Sequence, residues 1–327
     1  MREHLMFQLM EEICINGSNS WYVKPYIYTE SMFVMPDLSV EGYTNNTSIE
    51  TLNLEHVLVT TSSLARFHAA FVNYETYKSI ELKRPYNTLQ EFGHLLTEGN
   101  LHDSPWLAAG SKLSANLLKE FSMKSYRSLH NLESKLAKLY VKACNTLTEY
   151  KDTVNVLLHK DLQVNNIMFK HENDVPVNAV FVDYQCLRYA PPAFDLMIFL
   201  YYTTDKCFRD EKERDIFDYY HSVFDKNVND DSIRRLEGLG YDKEDFLKWC
   251  ERARMFAMVA AMAVYPFALM DAKTAQQAFD NPDTYEKHVN EDRSEPVLAH
   301  ANRCEAYKRR NLAITEEFVE THLLNKY

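Results

Sequence analysis

Residues 156–185 read VLLHKDLQVNNIMFKHENDVPVNAVFVDYQ, alternating apolar runs with polar stretches. Three short apolar runs, Val154–Leu158, Ile167–Lys170 and Val177–Val182, are separated by polar stretches, which predicts small strands around a loop. In that loop His159, Asp161 and Asn166 spell HxDxxxxN, and Asp183 ends the third run. Phosphoryl transfer to a hydroxyl needs a carboxylate to take or orient the hydroxyl proton, plus an amide and a second carboxylate to hold magnesium over the phosphates. Asp161, Asn166 and Asp183 are those residue types. With 12 histidines in the chain, the triplet is expected about 0.03 times by chance at ~5% usage of each partner. The bland alternative makes His159 a core histidine and Asp161 an ordinary turn former.

Outward from this loop the pattern changes. Upstream, residues 2–13 read as a short helix, and Trp21–Tyr28 and Ser31–Pro36 as strands about the turn Thr29-Glu30. Helices are then predicted over Thr51–Val72, Pro85–Leu96 and Ser128–Leu147, from apolar positions recurring at three and four. Downstream, Pro192–Thr203, Glu211–Val223, Lys243–Met270 and Pro296–Leu324 read as helices, with Asn227–Gly240 and Asp280–Glu291 as mixed connectors. The layout is a small α/β piece, a helical body and a strand-rich loop inserted in that body.

Composition excludes several classes. Of 327 residues, 36 are basic and 47 acidic, a net charge of −11, so the average face repels a nucleic-acid duplex or an anionic lipid surface. Seven glycines (Gly17, Gly42, Gly93, Gly99, Gly110, Gly238, Gly240) build neither GxGxxG nor GxxxxGK. There is no HExxH and no GxSxG, against metal-hydrolase and serine-hydrolase readings. The six cysteines (Cys14, Cys144, Cys186, Cys207, Cys250, Cys304) form no CxxC and read as reduced thiols of a cytoplasmic protein. The start MREHLMFQLMEE lacks the apolar run of a signal peptide, so Asn16-Gly-Ser and Asn45-Asn-Thr read as idle sequons. Met255–Met270 is shorter than the roughly 20 residues of a bilayer span and contains Pro266, and reads as a core helix. The aromatics Tyr201-Tyr202, Tyr219-Tyr220 and Phe256 through Phe267 read mostly as core in the body where an acceptor pocket would form.

Several segments together carry a family resemblance. HKDLQVNNIMF (159–169), VDYQ (182–185), RYAPPAFDL (188–196), FVMPDLSVEGY (33–43) and LARFHA (64–69) resemble the signatures of the ecdysteroid kinase-like, or choline-kinase-like, branch of the protein-kinase-like superfamily. The resemblance covers most of the chain. It implies an α+β, protein-kinase-like fold with a truncated N-terminal lobe and a large, mainly helical C-terminal lobe. Residues 1–38 would be the remnant of the small nucleotide-binding lobe and hinge, and residues 39–327 the helical lobe carrying the catalytic loop. It further implies Asp161 as catalytic base, Asn166 and Asp183 as Mg2+ ligands, His159 as a support of the loop, and Asp195 as a brace from the following helix. For Asp195 a helix-start charge is the other reading. ATP and Mg2+ would be the cofactors and a small hydroxylated molecule, an ecdysteroid-type steroid alcohol, the acceptor.

The chain also departs from the family pattern. The opening REHLMF resembles a helix that would place Glu3 as the ion-pairing glutamate of the nucleotide site, but no preceding glycine hairpin or strand lysine is present, and Lys24, Lys78 and Lys112 do not match that lysine by order. Lys160 stands for the usual Gly, Gln163 for Trp, and Tyr184 for Phe. Pro36 replaces an acid and has no amide to give. With Met35 leading into the hinge, adenine would use the Pro36 carbonyl and the Leu38 amide. Weak ATP binding, slow turnover and a self-associating small lobe are expected on this account, and a binding or regulatory protein with impaired catalysis, or a partial gene product, is the alternative.

Overall fold

The computed structural model describes residues 1–13, 21–46, 51–97 and 104–324. The expectations for Cys14, for Asn16 and for Thr47 of the second sequon lie outside the described residues. In chain order the elements begin with helix α1 (Arg2–Ile13), strands β1 (Ile27–Tyr28), β2 (Phe33–Val34) and β3 (Tyr43–Asn45), and helices α2 (Leu54–Glu81), α3 (Thr88–Leu96), α4 (Pro105–Phe121) and α5 (Leu132–Cys144). Strands β4 (Val156–Leu158), β5 (Ile167–Glu172), β6 (Val175–Phe181) and β7 (Arg188–Ala190) follow. Helices α6 (Ala193–Thr203), α7 (Lys206–Asn227), α8 (Asp230–Leu239) and α9 (Lys243–Ala268) come next, then α10 (Ala272–Phe279), α11 (Pro282–Glu286), α12 (Ser294–Ala301) and α13 (Glu305–Val319).

The chain forms two compact units, one of Met1–Thr97 with Thr148–Arg252, the other of Glu98–Leu147 with Ala253–Tyr327. In the first unit, β3, β5 and β6 make an antiparallel sheet in that order, and β4 pairs with β7. The β5–β6 turn is made by Asn173 and Asp174, both at positive φ (51° and 64°), the conformation a two-residue hairpin loop needs and one Asn and Asp tolerate best among non-glycine residues. Helix α2 lies against β6 through the Ser63 hydroxyl, which donates to the Ala179 carbonyl at 2.7 Å. A small core of Val23, Leu38, Tyr43 and Val180, flanked by Met35, Met168 and Val182, sits between the β1–β2 hairpin segment and the sheet. Gly42, at φ 83°, closes the turn leading into β3, where a side chain would be strained.

The second unit is helical, and here α4 is an element the sequence reading passed over. Its start is written locally: the Ser104 hydroxyl accepts the Leu107 amide and Pro105 occupies the first turn. Arg293 is buried in this unit, donating to the carbonyls of Trp106 (2.9 Å) and Val289 (2.6 Å).

Several expectations are corrected. The strands predicted over Trp21–Tyr28 and Ser31–Pro36 reduce to the two-residue β1 and β2, because Pro25 and Pro36 cannot donate to a ladder and the Trp21 carbonyl is taken by the Phe181 amide at 3.1 Å. The connector over Asn227–Gly240 is helix α8, capped by the Asn229 side chain at the Ser232 amide and closed by Gly240 at φ 69°. The connector over Asp280–Glu291 is α11 followed by a π-helical turn, Lys287–Glu291. The last predicted helix breaks into α12 and α13 around Asn302–Cys304. None of the five described cysteines forms a disulfide. Among the described residues no single helix is long and apolar enough to cross a membrane; α9 and α10 reach that length and composition only as a pair bent by 100°.

Candidate active site

The loop from β4 to β5 is built on a buried carboxylate. Asp195, in the first turn of α6 and fully buried, accepts the His159 backbone amide on Oδ2 and the Lys160 amide on Oδ1, each at 2.7 Å. Two charge-assisted bonds to consecutive amides hold the loop backbone where it leaves the strand. Lys160 is thereby kept at φ 68°, the left-handed region that a lysine adopts only under constraint. This explains the local pattern: the position favours glycine, and Asp195 imposes the conformation on a lysine.

The His159 ring ties the loop to the end of β6. Its Nε2 lies 2.9 Å from the Val182 carbonyl, which can only accept, and its Nδ1 faces the Asp161 amide at 3.3 Å, which can only donate. The hydrogens are therefore assigned by the partners. One turn on, the Asn166 side-chain amide donates to the Asp161 carbonyl at 2.8 Å and to the Asp161 carboxylate Oδ2 at 3.1 Å. A 3₁₀ turn over Val164–Asn166 makes this reach possible across five residues. The Asn166 carbonyl accepts the Val182 amide at 3.1 Å, so the residue before Asp183 is fastened to the same loop.

Asp183 follows at φ 64°, ψ 72°, and its carboxylate accepts from the Gln185 backbone amide (3.4 Å) and side chain (3.0 Å). Burial pushes the Asp161 carboxyl above the ordinary aspartate value; His159 opposes this, the neighbouring Asp183 charge adds to it, and the Asn166 amide and Lys160 ammonium oppose it. Glu3, from α1, reaches the same place: its carboxylate accepts the Tyr184 amide at 3.4 Å. Burial raises the Glu3 carboxyl, the Tyr184 amide counters it, and Asp183 raises it again. The site is thus a focus of negative charge suited to a cation.

Asn166 and Asp183 fit a hard cation by donor chemistry. The Asn166 amide nitrogen is committed to Asp161, which turns its Oδ1 into the oxygen donor the side chain has left to offer; with the Asp183 carboxylate it could hold Mg2+, which takes oxygen ligands together with substrate phosphates and water. Among the described residues no group of three or more His, Cys, Asp or Glu side chains is placed to hold a metal ion.

Beside Asp183 a cavity of about 290 Å³ is lined by Glu3, Phe7, Val23, Phe33, Met35, Leu38, Met168 and Val182, with Pro36, Asp37 and Ser39 along one rim. Its lining is mostly apolar, and its ionisable carboxylates are Glu3, Asp37 and Asp183. The rim is a turn closed by bonds to the carbonyls of Asp37, Leu38 and Ser39 and by the Asp37 side chain at Ser39. Those bonds leave the Pro36 carbonyl and the Leu38 amide out of the turn.

Two residues of this framework had no assigned part in the sequence reading. His68 on α2 is fully buried; its Nε2 is 3.2 Å from Asp195 Oδ2 and its Nδ1 is 2.6 Å from the Tyr220 hydroxyl on α7. Burial lowers the His68 imidazole pKa and raises the Tyr220 phenol, so Tyr220 keeps its proton and donates it to Nδ1, while Nε2–H donates to Asp195. His68 stands in the LARFHA segment, which was the available signal. Tyr220 gave none beyond belonging to an aromatic pair.

A pinned HxDxxxxN loop, a following strand with an aspartate two residues past its end and a helical C-terminal region together define the phosphotransferase-like kinase fold, mixed α+β with short strands towards the N-terminus. The chain belongs to the ecdysteroid kinase-like family, whose profile matches residues 7–230. It is similar to solved structures at low identity. A Plasmodium vivax ethanolamine kinase is 12% identical, with 94% of this chain and 73% of that one covered and a TM-score of 0.40. The spectinomycin phosphotransferase APH(9)-Ia, in complex with ADP and spectinomycin, is 13% identical over 91% and 82% of the two chains, with a TM-score of 0.42. A microcompartment-associated aminopropanol kinase is 12% identical over 83% and 84%, with a TM-score of 0.35. Comparison with curated protein sequences returns no match.

Proposed function

We propose that this protein is a cytoplasmic, ATP- and Mg2+-dependent kinase of a small-molecule hydroxyl, with an ecdysteroid-type steroid alcohol as the acceptor class. The observation that carries this reading is the Asp161–Asn166 contact in a loop whose backbone Asp195 holds at two consecutive amides. Residues 1–38 act as the nucleotide-binding lobe and hinge, and residues 39–327 as the helical lobe with the catalytic loop. Adenine enters the apolar cavity and meets the Pro36 carbonyl and the Leu38 amide. Asn166 Oδ1 and Asp183 hold Mg2+, which offsets phosphate charge. Glu3 lines that cavity and accepts the amide of Tyr184, the residue after Asp183.

Asp161 receives the acceptor's hydroxyl proton as the oxygen lone pair forms a bond to the γ-phosphorus. The bond from that phosphorus to the bridging oxygen breaks, and ADP leaves with its electron pair. Its raised proton affinity suits Asp161 to that step, since a carboxylate at the ordinary value is a poor base near neutral pH. His159 and Asp195 place the base and do not touch the reacting atoms.

A second reading, a kinase-shaped binding or regulatory protein with little turnover, is favoured by Glu3, whose carboxylate is met by the Tyr184 amide and pushed up by burial and by Asp183. Steady-state ADP release with Mg2+-ATP and a panel of steroid alcohols decides between them. Acceptor-dependent turnover that disappears in Asp183→Asn, and falls in Asp161→Asn with nucleotide affinity nearly intact, supports the kinase. Acceptor-independent or absent ADP release supports the second reading.

A further inference from the structure

The sheet strand that follows the catalytic loop has a second face. Met168 lines the cavity, whereas Phe169 and His171, two residues apart, share the face that meets the start of α2. There His56 Nε2 lies 3.1 Å from His171 Nε2.

The protonation of His56 is settled by its neighbour. Asn53 caps α2, and the same oxygen of its side chain meets the His56 backbone amide at 3.0 Å and His56 Nδ1 at 2.6 Å. A backbone amide can only donate, so the Asn53 atom is the carbonyl oxygen; that oxygen can only accept, so Nδ1 carries the proton. Nε2 of the neutral ring then carries a bare lone pair within 3.1 Å of the second imidazole's Nε2. Phe169 packs edge-on against His56 with ring centroids 4.8 Å apart and blocks one side of the pair, and both histidines remain partly exposed.

Two Nε2 atoms 3.1 Å apart, one of them with its tautomer fixed by an outer partner, are the elements of a metal-binding histidine pair. Metal–nitrogen bonds of about 2.0–2.1 Å place two imidazole nitrogens roughly 2.9 Å apart at right angles and about 3.4 Å apart in a tetrahedron. The observed separation falls between these. We infer that His56 and His171 form a binding site for one divalent transition-metal ion of the zinc and copper class, set on the opposite face of β5 from the candidate active site. Imidazole nitrogens select Zn2+, Ni2+ or Cu2+ over Mg2+ or Ca2+. Among the described residues no third His, Cys, Asp or Glu side chain completes the set, so water fills the remaining positions and the ion stays exchangeable.

The test is zinc uptake by the full chain, by competition against a chromophoric chelator, paired with electron paramagnetic resonance of the Cu2+-loaded protein. Wild type should take up one Zn2+ per chain, and the copper spectrum should report two imidazole nitrogens. His56→Ala and His171→Ala should each weaken uptake at least tenfold, Asn53→Ala several-fold, and Asp183→Asn not at all. The Gln variants at 56 and 171, checked by circular dichroism, replace any Ala variant that fails to fold. Three results would overturn the site: no uptake by wild type, which leaves an ordinary hydrogen bond between imidazoles; equal uptake by the double variant, which means scattered surface histidines; or loss of zinc in Asp183→Asn, which means the metal sits in the active site.

Discussion

The Asp195 carboxylate accepts the Lys160 backbone amide at 2.7 Å while Lys160 stands at φ 68°. A left-handed residue between the strand and Asp161 turns the chain so that the Asp161 carboxylate meets the Asn166 amide. The conformation costs a lysine roughly 1–2 kcal/mol, and the buried carboxylate offsets that cost.

Lys160→Gly should therefore raise stability by roughly 0.5–1 kcal/mol, the strain relieved less the added freedom of the unfolded chain. Urea denaturation measures it. Lys160→Val, whose branched side chain fits that region worse, should move the midpoint the other way. Equal midpoints for all three proteins would mean that the backbone is unstrained there.

Asp195→Ala leaves the buried His159 amide, the part-buried Lys160 amide and the His68 ring without their acceptor, and should cost about 3–5 kcal/mol. Asp195→Asn retains one oxygen and should cost less. The difference between the two variants in thermal unfolding isolates the second acceptor, and any active Asp195→Asn protein should lose kcat rather than nucleotide affinity.

Tyr220→Phe keeps the stacking of this ring on Phe246, at a centroid distance of 4.8 Å and 8° between planes, and removes only the hydroxyl that donates to His68 Nδ1. The loss should be about 1–2 kcal/mol. His68→Phe in the Tyr220→Phe background should add less than it does alone, because the two substitutions share one bond. Additive losses would show that the hydroxyl does not act through His68.

For Asp161 the sign follows from its raised pKa. The folded protein holds that proton more tightly than the unfolded chain, so its contribution to stability is present at low pH and lost as the pH rises through the raised value. Asp161→Asn removes the charge that burial and Asp183 disfavour. The variant should melt above wild type at neutral pH, and the gain should shrink as the pH falls towards the ordinary aspartate value of 3.8. Its turnover should fall about 10²–10⁴-fold, the usual yield of a positioned base. A constant melting difference across that range would argue against a raised Asp161.

Much of the site was legible because it is local. Asp161 and Asn166 are five residues apart in one short loop that a 3₁₀ turn over Val164–Asn166 folds back, and Asp183 follows a hairpin whose Asn173-Asp174 turn is written in residue type. The first helix, α6 and most of α9 were legible from apolar spacing. Helices α4, α8 and α11 carried cap signals, Ser104-Pro105, Asn229 and Asn281, that periodicity alone does not weigh.

By itself the amino-acid order determined which groups could share the catalytic loop, since backbone geometry limits what a short stretch can bring together. Only the tertiary structure decided what holds that loop in place. His68 reaches Asp195 across 127 residues and Tyr220 across 152, and His56 meets His171 across 115. Such partners are chosen by how α2 packs on its neighbours and on β5, and no local period records that choice. A buried carboxylate must find donors somewhere in the fold, and for Asp195 they come from a strand end and a helix that share no local sequence with it.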